Sequence, residues 1–558
     1  MIAEDAALAQ QAAAPATAIR QRIALLAVLF CLGFGLLGAT AISTAVLRDY
    51  DMAKGDAQAG ADKLSPRADI LDRNGEVLAT SITTYTLYAN PSEVWDAEET
   101  TRAIRQIFPQ IDHQDLRQRL SDRDRKSVHV RTNLTPRERQ AVLDLGQPGL
   151  GFVERQRRAY PRGTLAAHVL GYTDTNDLAL AGVEKGLDAR LTDDPDTPVR
   201  LSLDLRVQHI VEAELAAVAE AQSAKGGVGA IMDVQTGEFL ALASWPTFSP
   251  SAYNRASDNA KINRASVSVF EMGSTFKAFT VAMGLDAGVA TVESGYDASR
   301  PLLLGGAQIR DFHAQNRFLT IPEILNHSSN IGTSRLALDV GPERQRAFLA
   351  RLGLLDRAPL ETADAARPLV PREWTPLAAA TVSYGHGVAV SSVALMRAFA
   401  ATVNGGVRVE PTLLRREPSR QIMVTPVMQP ETSQAMVSLL RQVVTEGTGG
   451  KAESAGYEVA GKTGTAEKLR EDRKGYDRDR RVSSFIGVFP ARAPRYAILV
   501  LLDEPQGSAE THGVATAGWT AAPAVSRIVT RAAPMLGVAP FRQVADAGAL
   551  QTAAGATP

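Results

Sequence analysis

The most apolar segment of the chain runs from Ile23 to Leu47 without a charged residue. As helix, such a run spans roughly 37 Å, enough to cross a bilayer core with some tilt. A cleaved signal peptide is the competing reading, because Ala39-Thr40-Ala41 fits a small-x-small cleavage site. The apolar run exceeds a typical signal core, which favours an uncleaved transmembrane helix over residues 20–47, behind a short tail at 1–19. Charge does not fix its orientation. Arg20 and Arg22 precede the span, but Arg48, Lys54, Lys63 and Arg67 follow it, and large domains translocate largely regardless of such charges.

Beyond a polar linker, the pattern to about residue 200 is mixed. Short strand-like runs such as Thr84-Tyr85-Thr86-Leu87-Tyr88 and Val128-His129-Val130 alternate with charged helical stretches. Residues 48–200 therefore read as an elongated α+β module with no motif that would do chemistry by itself. A second region opens near 201. Arg206 to Ala221 places Val207, Ile210, Val211, Leu215 and Val218 at helical spacing. Two apolar strands, Gly229 to Val234 and Glu238 to Ala243, are joined by Gln235-Thr236-Gly237 in a hairpin pattern. A helix-rich stretch follows from about 262 to 445, and strands return at Tyr457-Val459, Ser484-Val488 and Tyr496-Leu502. Strands, helices, strands predicts one sheet closed by both ends of residues 201–535, with a helical block inserted. Residues 536–558 are Ala/Gly/Thr-rich and predict a disordered tail.

Composition narrows the functional classes. A net charge of -1 and 45% hydrophobic residues describe a globular chain. The Arg-dense stretch from Arg117 to Arg139 is interrupted by Asp122, Asp124 and Glu138, the pattern of a solvated face rather than a nucleic-acid surface. The eight histidines have no metal-ligand spacing, so no metal is expected. Cys31 is the one cysteine and lies inside the apolar span, which leaves the folded part without a thiol.

Three short motifs carry candidate chemistry. In Ser274-Thr275-Phe276-Lys277 the first and last residues share a helix face, so Ser274 Oγ and Lys277 Nζ can meet. A serine hydroxyl needs a neighbouring base, and a lysine serves only when burial or nearby cations lower its pKa. Alone, Ser-x-x-Lys arises about once by chance in a chain this long, with an exposed helical pair as the plain reading. Lys462-Thr463-Gly464-Thr465 follows an extended segment. Its lysine could hold a substrate carboxylate, and its glycine could admit a substrate backbone. A phosphate-cradling loop is the other reading, but the Gly-x-x-x-x-Gly-Lys order is lacking. Ser328-Ser329-Asn330, between the two, reads by itself as a helix cap or turn. In this order the three supply nucleophile, base, relay hydroxyl, amide donor and carboxylate clamp.

With these motifs the chain resembles the penicillin-binding protein and serine β-lactamase superfamily, and more narrowly the class B penicillin-binding proteins. Pro66 to Gly75, Arg158-Ala159-Tyr160-Pro161, Ala166-Ala167-His168 and Gly182-Val183-Glu184 are similar to the family's non-catalytic pedestal domain. Glu323 to Gly332, Ser383-Tyr384-Gly385-His386-Gly387 and Ala460 to Ala466 look like the septal, FtsI-type members. Met272, Ala68, Glu467 and His386 depart from the family's usual residues, the last two at positions that could alter substrate contacts.

The resemblance implies an α+β chain: an anchor, a pedestal or dimerisation domain, and a β-lactamase-like domain whose antiparallel sheet has helices on both faces. It implies Ser274 as nucleophile, Lys277 as base, Ser328 as proton relay and Asn330 as amide donor. Lys462, Thr463, Gly464 and Thr465 would bind a stem peptide ending in D-Ala-D-Ala, and β-lactams would acylate Ser274. No cofactor is implied. The expected setting is the periplasmic side of the inner membrane, with residues 23–47 as anchor and a peptidoglycan glycosyltransferase and other division proteins as partners. An elongation-type enzyme, a carboxypeptidase, a β-lactamase and a β-lactam-sensing receptor stay open as alternatives.

Overall fold

A computed structural model describes residue 28 and residues 31–35, 66–417, 419–470 and 475–541. Most of the expected span at 23–47 lies outside these, and among the described residues no helix is long and apolar enough to cross a membrane. The chain forms two compact units: Thr83–Gln156 in one, Ser65–Ile82 and Arg157 onward in the other. The division does not fall at the expected residue 200. Residues 157–200 belong to the larger unit, where the short strand Val199–Arg200 pairs in parallel with Ile70–Leu71.

In the smaller unit residues 85–89 pair antiparallel with Val128–Leu134. Three helices cover this pair, Ala97–Ile107, His113–Ser121 and Pro136–Leu143. Each starts at a polar cap: Asp96, Asp112, and Thr135 with Glu138 in a capping box. These side chains satisfy the first unpaired N–H groups of each helix. Leu87, Ile104, Phe108, Leu116 and Val128 form the core. In the Arg-rich stretch Arg119 pairs with Asp115 and Arg125 with Asp122, as a solvated face requires.

The larger unit is built on a five-stranded antiparallel sheet. Its strands are β1 (Gly226–Asp233), β2 (Phe239–Trp245), β3 (Ala460–Leu469), β4 (Tyr476–Phe489) and β5 (Tyr496–Asp503), in the order β3-β4-β5-β1-β2. The expected hairpin is β1–β2. The late strands form as read, except that β3 starts at Ala460 and takes in Lys462-Thr463-Gly464 instead of preceding it.

The apolar run in β5 is continuous because both sheet faces are covered. Ile498, Val500 and Leu502 face a cluster with α1 (Leu205–Ala221) and the C-terminal helix Ala521–Met535. Ala497, Leu499 and Leu501 face the opposite cluster. There they meet α2 (Phe276–Asp286), α3 (Asn330–Val340), α4 (Ser392–Val403) and α5 (Pro430–Thr445), the inserted helical block. Past the C-terminal helix, Leu536 and Val538 pack on the core and the Phe541 N–H donates to Gly456 O. Residues 536–541, expected in the disordered tail, thus pack against the folded unit.

A buried ionic cluster accounts for the Arg67, Arg158 and Glu184 motifs. Glu184 accepts from Arg67 Nε at 3.0 Å and from Arg158 Nε at 2.6 Å, with all three side chains almost fully buried. Removing one member leaves an uncompensated buried charge, which costs about 3–5 kcal/mol. Glu184→Ala should therefore lower stability by about that amount in chemical denaturation followed by circular dichroism. An unchanged midpoint would show that the two arginines find other partners.

Candidate active site

Ser274 lies in a short 3₁₀ turn, Gly273–Thr275, that runs straight into α2. Lys277 follows one turn later on a helix buried nearly all round, so its side chain has no route to water. Its Nζ lies 2.9 Å from Ser274 Oγ, 3.0 Å from Ser328 Oγ and 2.5 Å from Ser328 O. The carbonyl can only accept, so one N–H points there. A neutral amine then has its lone pair free to accept the Ser274 hydroxyl proton. Burial, then the nearby Lys462, push Lys277 well below the ordinary lysine range, with Asp311 opposing.

Ser328 adopts φ +58°, a left-handed conformation unusual for a serine. This turns both its hydroxyl and its carbonyl toward Lys277. The conformation is held from both sides. Ser329 caps α3, accepting from the Gly332 N–H at 3.0 Å and donating to Asp311 Oδ2 at 2.7 Å. Asp311 Oδ1 also accepts from the Ile331 N–H at 2.9 Å. Asn330 donates to Arg310 O at 2.9 Å. The cap reading of this motif is thus right for Ser329, while Ser328 Oγ lies between the Lys277 and Lys462 amines.

On β3 the face assignments differ from expectation. Lys462 is fully buried, its Nζ 3.2 Å from Ser328 Oγ and 3.3 Å from Thr463 Oγ1. Burial brings it down to about 7. It stands behind Ser328 and is not itself a cavity-lining clamp. Gly464, on the same face, admits the protein's own chain and not a substrate. A Cβ there would come within 2.5 Å of Met272 O and 2.7 Å of Thr275 Cγ2. Gly273 is similarly enclosed at φ +53°, where a Cβ would lie 2.7 Å from Thr465 O. The two glycines let β3 and the Ser274 turn meet backbone to backbone.

The opposite face of β3 lines a cavity of about 530 Å³. Thr463, Thr465 and Glu467 face it, as does Ser274, Ser328 and Asn330 on the helical side. Of the expected site residues, Ser274, Lys277, Ser328 and Lys462 meet directly through their side chains, and Thr463 and Thr465 border the same space. Thr463 Oγ1 is 2.8 Å from Thr448 Oγ1, and Thr465 Oγ1 accepts from the Ala517 N–H at 3.2 Å.

Sequence reasoning missed Asp311, Thr448 and the Thr516–Trp519 wall, none of which lies in a recognisable motif. The Tyr384–Gly387 run forms another wall. His386 stacks on Tyr476 with centroids 5.0 Å apart and meets Tyr384 edge-on at 5.1 Å. Glu271 ties this wall together, accepting from the Gly387 N–H at 3.0 Å and the Tyr476 hydroxyl at 3.2 Å. Burial, then Lys277, lower His386 to about 4, so its imidazole is neutral at physiological pH. No group of potential metal ligands occurs among the described residues.

Comparison with known proteins places this geometry. Residues 227–527 match the penicillin binding protein transpeptidase domain, and residues 62–191 the penicillin-binding protein dimerisation domain. A probable peptidoglycan D,D-transpeptidase FtsI from Caulobacter vibrioides is 43% identical, over 85% of this chain and 82% of that protein. The peptidoglycan D,D-transpeptidase FtsI of Escherichia coli is 29% identical, over 89% and 90%. The crystal structure of penicillin binding protein 3 from Mycobacterium tuberculosis complexed with aztreonam superposes with a TM-score of 0.67. It is 25% identical, and the match covers 86% of this chain and 98% of that one. With the transpeptidase domain filling more than half of its length, and the dimerisation domain ahead of it, this chain belongs to the class B penicillin-binding proteins.

Proposed function

We propose that the chain is a serine-type peptidoglycan D,D-transpeptidase that cross-links stem peptides at the division septum. The observation that carries this is the fully buried Lys277 amine, set 2.9 Å from Ser274 Oγ and pushed well below its usual pKa by burial and Lys462. In the first half-reaction Ser274 Oγ attacks the penultimate carbonyl of a stem ending in D-Ala-D-Ala, and its proton passes to Lys277 Nζ. Backbone N–H groups of Ser274 and Thr465 hold the oxyanion, a contribution of about 3 kcal/mol per donor. The C–N bond then breaks, and Ser328 relays the proton from Lys277 to the amine of the departing D-Ala. An amine from a neighbouring stem attacks the ester, its proton returns through the same relay, and Ser274 leaves as the hydroxyl.

Thr463 and Thr465 take the stem's terminal carboxylate, and Asn330 orients its amide. As the edge strand of its sheet, β3 leaves one side of its backbone free to pair with an extended peptide. Lys462 acts from behind, as a cation beside Ser328 that holds Lys277 down. β-Lactams acylate Ser274 by the same route, in keeping with the aztreonam complex of the mycobacterial protein. A β-lactamase would need a carboxylate to activate water. Glu323 is committed to the Thr320 N–H and hydroxyl and to Arg317, which argues against it in that role. The relatives named peptidoglycan D,D-transpeptidase FtsI support the transpeptidase assignment, and the charge-free run at 23–47 would be the inner-membrane anchor that holds the catalytic unit in the periplasm. A peptidoglycan glycosyltransferase and other division proteins are the partners this setting calls for.

Fluorescent penicillin should label the full-length protein stably. Ser274→Ala should abolish labelling, and Lys277→Ala should slow it by about 10²–10⁴-fold. Absence of label on folded wild type would end the enzyme reading, and rapid release of label would turn it toward a β-lactamase. The pH profile tests the lysine pair. Labelling needs Lys277 neutral, so its rate should fall as pH drops through the depressed Lys277 value. Lys462→Met removes the cation that lowers Lys277, so the acid limb should move to higher pH. A limb that stays in place would separate Lys462 from the control of the base.

A further inference from the structure

Glu467 and Arg481 form the last regular rung of the β3–β4 ladder. Just beyond them the register slips, and Lys468 pairs with Asp477. Directly opposed residues on one face of an antiparallel pair hold their Cβ atoms about 4.5–5.5 Å apart. Both side chains line the cavity that contains Ser274, on the face that also carries Thr463 and Thr465. Opposite charges so placed would ordinarily close on each other. These do not: among the described residues neither side chain makes an ion pair or a hydrogen bond. The neighbouring charges are already committed, Lys468 to Asp503 and Glu504, and Lys225 and Arg480 to Glu504. The rung is also rigid, because the Glu504 N–H holds Arg481 O at 2.8 Å.

We propose that Glu467 and Arg481 form a subsite for an amino-acid head, an ammonium and a carboxylate on one carbon, at the end of a stem-peptide side chain. The guanidinium fork takes the carboxylate through two parallel hydrogen bonds, and Glu467 accepts from the ammonium. A side chain ending in a plain amine satisfies Glu467 alone and leaves Arg481 unmatched, so the rung discriminates between two classes of diamino acid. Glu467 lies two residues past Thr465, roughly 7 Å along the strand. An extended donor with its penultimate carbonyl at Ser274 brings the side chain of its preceding residue to this rung. An acceptor could bear the same head, but Glu467 would hold its amine as the ammonium and withhold the nucleophile, which favours the donor. The subsite rests on the transpeptidase reading.

The test uses the full-length protein in detergent and two donor peptides ending in D-Ala-D-Ala. In one the preceding side chain ends in an amino-acid head, and in the other it ends in the amine of lysine. The readout is kcat/KM for D-Ala release, each variant's rate being divided by its own rate of penicillin labelling. Wild type should favour the head-bearing donor by about tenfold or more. Arg481→Gln and Glu467→Gln should bring that ratio close to one, and Arg481→Lys should restore part of it. A second arm fixes the lysine-type donor and compares acceptor amines with and without a carboxylate on the same carbon, reading transfer against hydrolysis. Variants that shift only this partition assign the head to the acceptor. Ratios unchanged in both arms, in variants that fold and take up penicillin, overturn the subsite and leave the transpeptidase standing. Failure of wild type to take up penicillin overturns both.

Discussion

Two lysine side chains share one hydroxyl in this structure, and that sharing governs the rest of the site. Lys277 and Lys462 are fully buried and both reach Ser328 Oγ. Burial makes a charge costly on either amine, and a charge on Lys462 further disfavours one on Lys277, so Lys277 is driven toward neutrality ahead of its neighbour. The effect requires the interior to stay dry. An apolar α2 closes one side, the sheet edge closes another, and the left-handed turn at Ser328 places both oxygens of that residue where Lys277 needs them. Asp311 sets the limit from the other direction: it secures the α3 cap through Ser329 and Ile331, and its charge stops Lys277 from falling further.

The same demand for closure explains what was and was not legible in the chain. The grouping of the candidate residues was legible because local spacing sets it: one helical turn from Ser274 to Lys277, and a period of two along β3. The sheet was legible from its flanking strands, since apolar runs such as Tyr496–Leu502 can only be buried on both faces. That Lys462 lies behind the cavity was not legible, because spacing says which residues share a face and not which face borders the cavity. That choice is made by α2 and α3, more than a hundred residues away in sequence. Asp311 and Thr448 were invisible for a related reason. Each meets its partner across a loop, outside any helical or strand spacing, and neither sits in a pattern of its own. The start of the larger unit was equally hidden, because residues 65–82 join it through pairing with a strand near residue 200.

The backbone-to-backbone contact between the Ser274 turn and its neighbours has an evolutionary side. A Cβ on Gly385 would come within 2.3 Å of Gly273 O, just as one on Gly273 would meet Thr465 O. Three segments therefore touch with no room for a side chain between them, and the space around the nucleophile cannot be reshaped by substitution there. A covalent inhibitor that reaches Ser274 occupies ground the protein cannot alter without losing its own reactivity. Escape from such a drug has to come from the outer walls, where Tyr384, His386 and Trp519 border the cavity away from Ser274. Resistance in this architecture is thus a contest over the periphery of the cavity, with its centre held constant for both sides.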